Sequence, residues 1–302
     1  MGAKGAVAGV RAPPSAIETK NLLLEALSYI GKFKGRIIVI KYGGAAMGHE
    51  ASQVDFARDV VLLQSLGMYP IVVHGGGPAV TLAMEAMGYR PTFVDGLRVT
   101  TEEGLRITEM VLSGTINGEI IAHINSQGGN GVGLSGKDGN LIRARKRKPI
   151  KGTDLGFVGE ITGVNGDFLR LLLENGHIPV ISPIGMGEDG HTYNINADTV
   201  ASHIAAALQA EKIIFMTNVD GILADGKLVP TVTEKKARAM IANGVIGGGM
   251  LPKVEAGLFC LAQGVKSAHI IDGKDPHAII AELFTDQGIG TVITRRAGSK
   301  GA

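Results

Sequence analysis

Five apolar runs, each closing on glycine, constrain this chain more than any other feature. They are "RIIVIKYGG" (36–44), "YPIVVHGGG" (69–77), "HIPVISPIG" (177–185), "KIIFMTNVDG" (212–221) and "SAHIIDG" (267–273). Their cores are continuously apolar rather than alternating, as expected of strands buried on both faces. Between them lie amphipathic segments of helical period at 50–66, 78–88, 101–113, 117–126, 166–176, 198–209, 233–243 and 252–263. Strands alternating with helices predict a three-layer αβα sandwich around a mainly parallel sheet. The section 131–164 reads differently, as short antiparallel strands on the rim. Its basic cluster, Arg143, Arg145, Lys146, Arg147 and Lys148, reads as a solvated hairpin face rather than a phosphate site.

Composition narrows the function classes. A net charge of +2 over 302 residues argues against general binding to nucleic acid or an anionic membrane. The single cysteine, Cys260, excludes an internal disulfide and suits a reducing, cytoplasmic setting. No apolar run approaches the ~20 residues that span a bilayer. The opening "MGAKGAVAGVRAPPS" lacks a signal-peptide core and reads as a tail. Forty-five glycines imply several loops where backbone must come close to something.

Those loops follow the strands. After Ile71-Val72-Val73-His74 come Gly75, Gly76 and Gly77, then Pro78 and a helical pattern. One glycine suffices for a tight turn; three in a row suit a ligand lying against the N–H groups of a helix start. The first strand ends with Lys41 and then Gly43-Gly44, which puts an ammonium at the ligand edge of the sheet. Arg98, in "GLRVTTEEG", precedes a helix capped by Thr100 or Thr101; it can clamp a carboxylate or pair with Glu102 or Glu103. Asn194, Asn196 and Asp198 crowd the entry to an Ala-rich helix, and capping accounts for only one of them. Another glycine run, 247–249, precedes Pro252 and Lys253; a lysine at the positive end of a helix calls for a neighbouring anion. Neither the P-loop pattern nor G-x-G-x-x-G occurs, which removes the main support for a dinucleotide-dependent oxidoreductase.

Taken in order, K-Y-G-G, H-G-G-G-P, G-L-R-V-T, N-I-N-A-D, T-N-V-D-G-I and G-G-M-x-P-K resemble the amino acid kinase family over about residues 34–302. G-L-R-V-T and N-I-N-A-D are similar to the branch that phosphorylates the side-chain carboxylate of N-acetyl-L-glutamate with ATP in arginine synthesis. Another small acidic substrate (glutamate, aspartate or carbamate) is the alternative. A non-catalytic sensor on this fold would be expected to have lost Lys41, Lys253 or Asp198, and all three are present. By the resemblance, Lys41 and Lys253 stabilise the transferring phosphoryl group and Asp198 holds both lysines. Gly76, Gly77, Arg98 and Asn194 contact the acceptor. Gly43, Gly44, Asn218, Val219, Asp220, Gly221, Ile222, Leu223, Val245, Ile246 and Gly247 belong to phosphate and nucleotide loops. Asn218 stands where relatives commonly carry Asp. Mg²⁺ is expected with ATP, held by phosphates and water rather than by a named protein ligand.

The same resemblance divides the chain into an N-terminal extension (1–33), a substrate and dimerisation lobe (34–208) and a nucleotide lobe (209–302). In the extension, Ser15 and Glu18 form a capping box, and Leu23, Leu24, Leu27 and Ile30 make an apolar stripe. Arginine-inhibited members carry such a helix and assemble as trimers of dimers. The stretch 277–291 resembles their arginine-site segment, with Glu282 and backbone near Gly288 and Gly290 as candidate contacts and Tyr29 and Lys212 as further ones.

Overall fold

The computed structural model describes residues 16–48, 50–285 and 288–295. Ser15 lies outside them, as does the side chain of Glu18, so the capping box is not described. Among the described residues the main sheet has eight strands: β1 (Ile37–Tyr42), β2 (Tyr69–His74), β3 (Gly131–Ser135), β4 (Ile178–Ser182), β5 (Lys212–Thr217), β6 (Thr231–Thr233), β7 (Ser267–Asp272) and β8 (Thr291–Thr294). Their order is β6-β8-β7-β5-β1-β2-β4-β3, parallel throughout except where β7 meets β8. The five sequence-predicted strands are five consecutive ones, β7-β5-β1-β2-β4; the sixth inner strand, β8, and the two edges were not among them.

Alternation along each strand builds the two outer layers, because successive side chains point to opposite faces. Val39, Val73, Ile213 and Phe215 join one core with α6 (Gly166–Glu174), α7 (Ala197–Leu208), α8 (Glu234–Ala242) and α9 (Leu251–Ala262). Ile38, Ile40, Val72 and Ile214 join the other with α2 (Glu50–Ser65), α3 (Gly77–Ala86), α5 (Asn117–Ser126) and α10 (Ala278–Phe284). Phe33 of α1 (Ala16–Phe33) is buried in that second core. The fold is therefore the expected α/β sandwich, with the N-terminal helix present. None of the described helices is long and apolar enough to cross a membrane.

Two local expectations need correction. Gly131–Ser135 is not a rim strand; it pairs in parallel with β4 as the edge of the main sheet. Its three small or polar residues hid it, and an edge strand tolerates them because it lacks a second hydrogen-bonded neighbour. The rest of that section does form an antiparallel pair, Ile142–Lys146 with Gly159–Val164. Arg145 and Lys146 there form exposed ion pairs with Glu160 and Asp154, as a solvated face would. The second correction concerns 101–126. Instead of two helices, α4 (Glu102–Glu109) runs through a π-helical segment, Met110–Ile116, directly into α5. Ser113-Gly114 looks like a break in sequence, but the wider turn absorbs it. π segments of this kind recur at functional sites.

Candidate active site

β1 is the point where the chain's connections reverse direction, since β2 lies on one side of it and β5 on the other. In open α/β sheets ligands bind outside the carboxyl ends of strands at such a point. Two cavities open there. One, of about 570 Å³, is lined by Gly75, Gly76, Gly77, Arg98 and Asn194 among others. The other, of about 520 Å³, is lined by Asn218, Val219, Gly221, Ile222, Leu223, Val245, Ile246, Gly247 and Lys253. Lys41 and Gly44 line both.

Three charged residues meet at the shared wall. Lys41, at the end of β1, has its Nζ 3.2 Å from Asp198 Oδ1. Lys253, in the first turn of α9, donates to Asp198 Oδ2 at 3.0 Å. Asp198 is buried in the first turn of α7. Asn196, not Asp198, is the N-cap, accepting from the N–H groups of Asp198 and Thr199. This leaves both Asp198 oxygens to the lysines. Burial opposes ionisation of Asp198, yet Lys41 and Lys253 together hold its carboxyl below the usual range. The anion that Lys253 calls for at its helix start is thus Asp198.

Close approach explains the glycines. A Cβ on Gly43 would lie 2.7 Å from Lys41 Nζ. Gly44 has φ +74°, and a side chain there would also overlap Asn218. A Cβ on Gly76 would run into Ile116 and Leu112 of the π segment. Gly77 opens α3, with Pro78 following. Arg98 does not pair with Glu102 or Glu103. Its guanidinium donates to the Gly77 carbonyl (3.0 Å) and Thr81 Oγ1 (2.7 Å) and stacks 4.7 Å from the Phe93 ring. Asn194 donates to Thr100 Oγ1 at 3.3 Å. Thr101 is the helix cap, through its bond from Gly104 N–H.

Two of the residues named from the sequence stand apart from the second cavity. Gly43 lines the first cavity rather than the second, and a Cβ on it would meet the Lys41 side chain. Asp220 is exposed and lines neither, since its loop turns it outward. Sequence reasoning also missed two buried residues beside Gly75, His74 and Asn117. Burial pushes the His74 imidazole down to about 4, so it is neutral at pH 7. The polar ending of an apolar strand was a usable signal for His74. Asn117 offered none, because its position depends on the π segment.

The residues grouped for arginine also come together, at the opposite end of the sheet. Lys212 and Thr217 bound β5, on the order of 16 Å apart at ~3.3 Å per residue. Glu282 Oε2 accepts from the N–H groups of Ile289 (2.8 Å) and Gly290 (3.1 Å), and Oε1 pairs with His269 Nδ1 at 2.6 Å. Although burial opposes it, these partners hold the Glu282 carboxyl below its ordinary value. Lys212 Nζ lies 3.3 Å from His269 Nε2 and 5.0 Å from the Phe33 ring, on which Tyr29 stacks. A Cβ on Gly288 would lie 2.7 Å from Glu282 Oε2. His269 and Phe33 are the members of this cluster that the sequence did not single out.

The sequence model of the amino acid kinase family matches residues 36–272. The acetylglutamate kinase of Methanocaldococcus jannaschii is 53% identical over 92% of this chain and 97% of its own length. That of Hahella chejuensis is 47% identical over 93% and 97%. Among solved structures, N-acetylglutamate synthase from Neisseria gonorrhoeae complexed with coenzyme A and N-acetyl-glutamate superposes with a TM-score of 0.83 at 28% identity; it covers 94% of this chain, which spans only 64% of the synthase. The same synthase complexed with coenzyme A and L-arginine gives 0.81 at 27% identity, over 94% of this chain and 66% of that one. With the lysine–aspartate–lysine group at the reversal point of the sheet and relatives of this similarity over nearly its whole length, the chain belongs to the amino acid kinase family.

Proposed function

We propose that the protein transfers the γ-phosphoryl group of ATP to the side-chain carboxylate of N-acetyl-L-glutamate, a step of arginine synthesis. The observation that carries this reading is one buried carboxylate, Asp198, joining two lysines at the wall common to two cavities. The acceptor carboxylate, with an ordinary pKa of about 4.3, is already ionised at neutral pH. No general base is needed. The difficulty is to bring an anion up to ATP and to carry the charge that spreads over the phosphoryl oxygens in transit, which positioned cations and N–H groups meet. Asp198 therefore organises lysines and removes no proton. Among the described residues there is no cluster of three His, Cys, Asp or Glu that would hold a metal. Both Asp198 oxygens face lysines. These donors fit Mg²⁺ carried by the nucleotide phosphates, where it would add further positive charge.

The acceptor belongs in the Arg98 cavity and the nucleotide in the other. Arg98 presents a planar fork suited to an α-carboxylate, a geometry an ammonium cannot copy. Arg98→Lys should raise KM for N-acetylglutamate and spare that for ATP; an equal rise in both would remove Arg98 from acceptor binding. The reaction itself is tested by ADP release with N-acetylglutamate, glutamate, aspartate, carbamate and UMP as acceptors. Turnover favouring any of the last four would reject N-acetylglutamate.

Feedback inhibition by arginine and assembly through α1 form the second part of the proposal. The Lys212–His269–Glu282 group supports it: it is buried, charged and remote from the lysine pair. An ionised carboxylate accepts about four hydrogen bonds, so Glu282 retains capacity for a guanidinium beside its three present partners. On α1, Leu23, Leu24 and Leu27 stand exposed, an apolar stripe suited to a second copy. Leu23→Glu with Leu27→Glu should reduce a hexamer to dimers and remove arginine inhibition while turnover persists. Light scattering and assays with and without arginine test this; a wild-type dimer indifferent to millimolar arginine refutes it.

A further inference from the structure

His74 and Asn117 are buried against the glycine loop, and the roles given so far to the site leave both unused. Their hydrogen bonds fix one another. The Val180 carbonyl can only accept, so the atom of Asn117 that lies 3.0 Å from it is the amide nitrogen. The same nitrogen lies 3.1 Å from His74 Nε2. Its two protons serve those two acceptors, so Nε2 carries none. In the neutral imidazole the proton then resides on Nδ1, which donates to the Gly75 carbonyl at 2.9 Å. The peptides here are trans, and in a trans peptide the next N–H points opposite to the carbonyl. Holding the Gly75 carbonyl on His74 therefore turns the Gly76 N–H away from it. That N–H has no acceptor among the described residues, and Gly76 lines the same cavity as Lys41.

We propose that the Asn117–His74 pair is a positioning device for phosphoryl transfer: it locks the Gly75–Gly76 peptide so that the Gly76 N–H faces the group passing from ATP to the acceptor. The π segment belongs to this device, because Asn117 is the residue on which that wider turn ends. The proposal rests on the kinase reading above.

Two substitutions separate the roles of the imidazole nitrogens. His74→Asn places an amide nitrogen near the position of Nδ1 and keeps a donor for Gly75. His74→Gln places its amide near Nε2 and leaves the Gly75 carbonyl free. At saturating substrates, His74→Gln should lose about tenfold or more in kcat with little change in either KM, as a misaimed donor to the transition state would. His74→Asn should retain most of kcat. Equal kcat in the two variants, or a loss confined to KM, overturns the proposal. Should His74→Gln fail to fold, Asn117→Ala serves instead: it removes the donor to Nε2, so the proton is no longer confined to Nδ1 and the ring is free to turn away from the Gly75 carbonyl. It should lower kcat beside His74 but not beside His74→Asn, and a loss in both backgrounds overturns the proposal. Wild-type protein without turnover on N-acetylglutamate would overturn the reaction assignment and this device together, whereas failure of the variants alone overturns only the device.

Discussion

Lys41→Ala and Lys253→Ala each lower kcat by about 10²–10³ while the chain keeps its far-ultraviolet dichroism, the usual cost of one lost transition-state donor. The two variants differ in KM. Lys41 lines both cavities, so its removal weakens both substrates; Lys253 lines only the nucleotide side, so its removal weakens ATP. Single-turnover phosphoryl transfer, with each KM measured separately, checks the pattern. Near-normal transfer in both variants would reject the mechanism.

Asp198→Asn should be more damaging to the fold than either lysine variant. It leaves two ammonium groups facing one neutral amide, where each now has a carboxylate oxygen within 3.2 Å. Breaking a buried pair by removing one partner costs ~3–5 kcal/mol. The lower end applies here, because both lysines open onto cavities. Turnover should fall by at least about 10², since neither lysine is then aimed. The acid limb follows from the direction of the Asp198 shift. Its folded pKa lies below the unfolded value of about 3.9, so its stabilisation is full above that pH and is lost as pH falls through the folded value. Urea melts of wild type and Asp198→Asn should therefore differ at neutral pH and converge in acid. Equal stability at pH 7 would mean that the lysines find other partners.

The inner sheet was legible because its strands are apolar on both faces, and that signal is strongest where burial is complete. It failed at Gly131–Ser135, an edge strand, and at Thr231–Thr233 and Thr291–Thr294, which are short. The lysines and Asp198 were legible as polar residues at element ends, where side chains are free of the core. Arg98 left two readings open in sequence, since its partners Gly77 and Thr81 lie on α3, about 20 residues earlier in the chain. His269 was invisible for the same reason: a histidine inside an apolar run gains meaning only from the neighbouring strand's Lys212 and from Glu282, thirteen residues on.

Because one lysine and one glycine are common to both cavities, the two binding equilibria are linked by thermodynamics. Whatever factor bound nucleotide imposes on the dissociation constant of the acceptor, bound acceptor imposes on that of the nucleotide. A change at Asn218, which lines only the nucleotide side, is then measurable in calorimetric titrations of the acceptor with nucleotide present. The shared wall thus sets one coupling factor common to both affinities, while residues that line only one cavity, such as Arg98 or Lys253, tune one affinity alone.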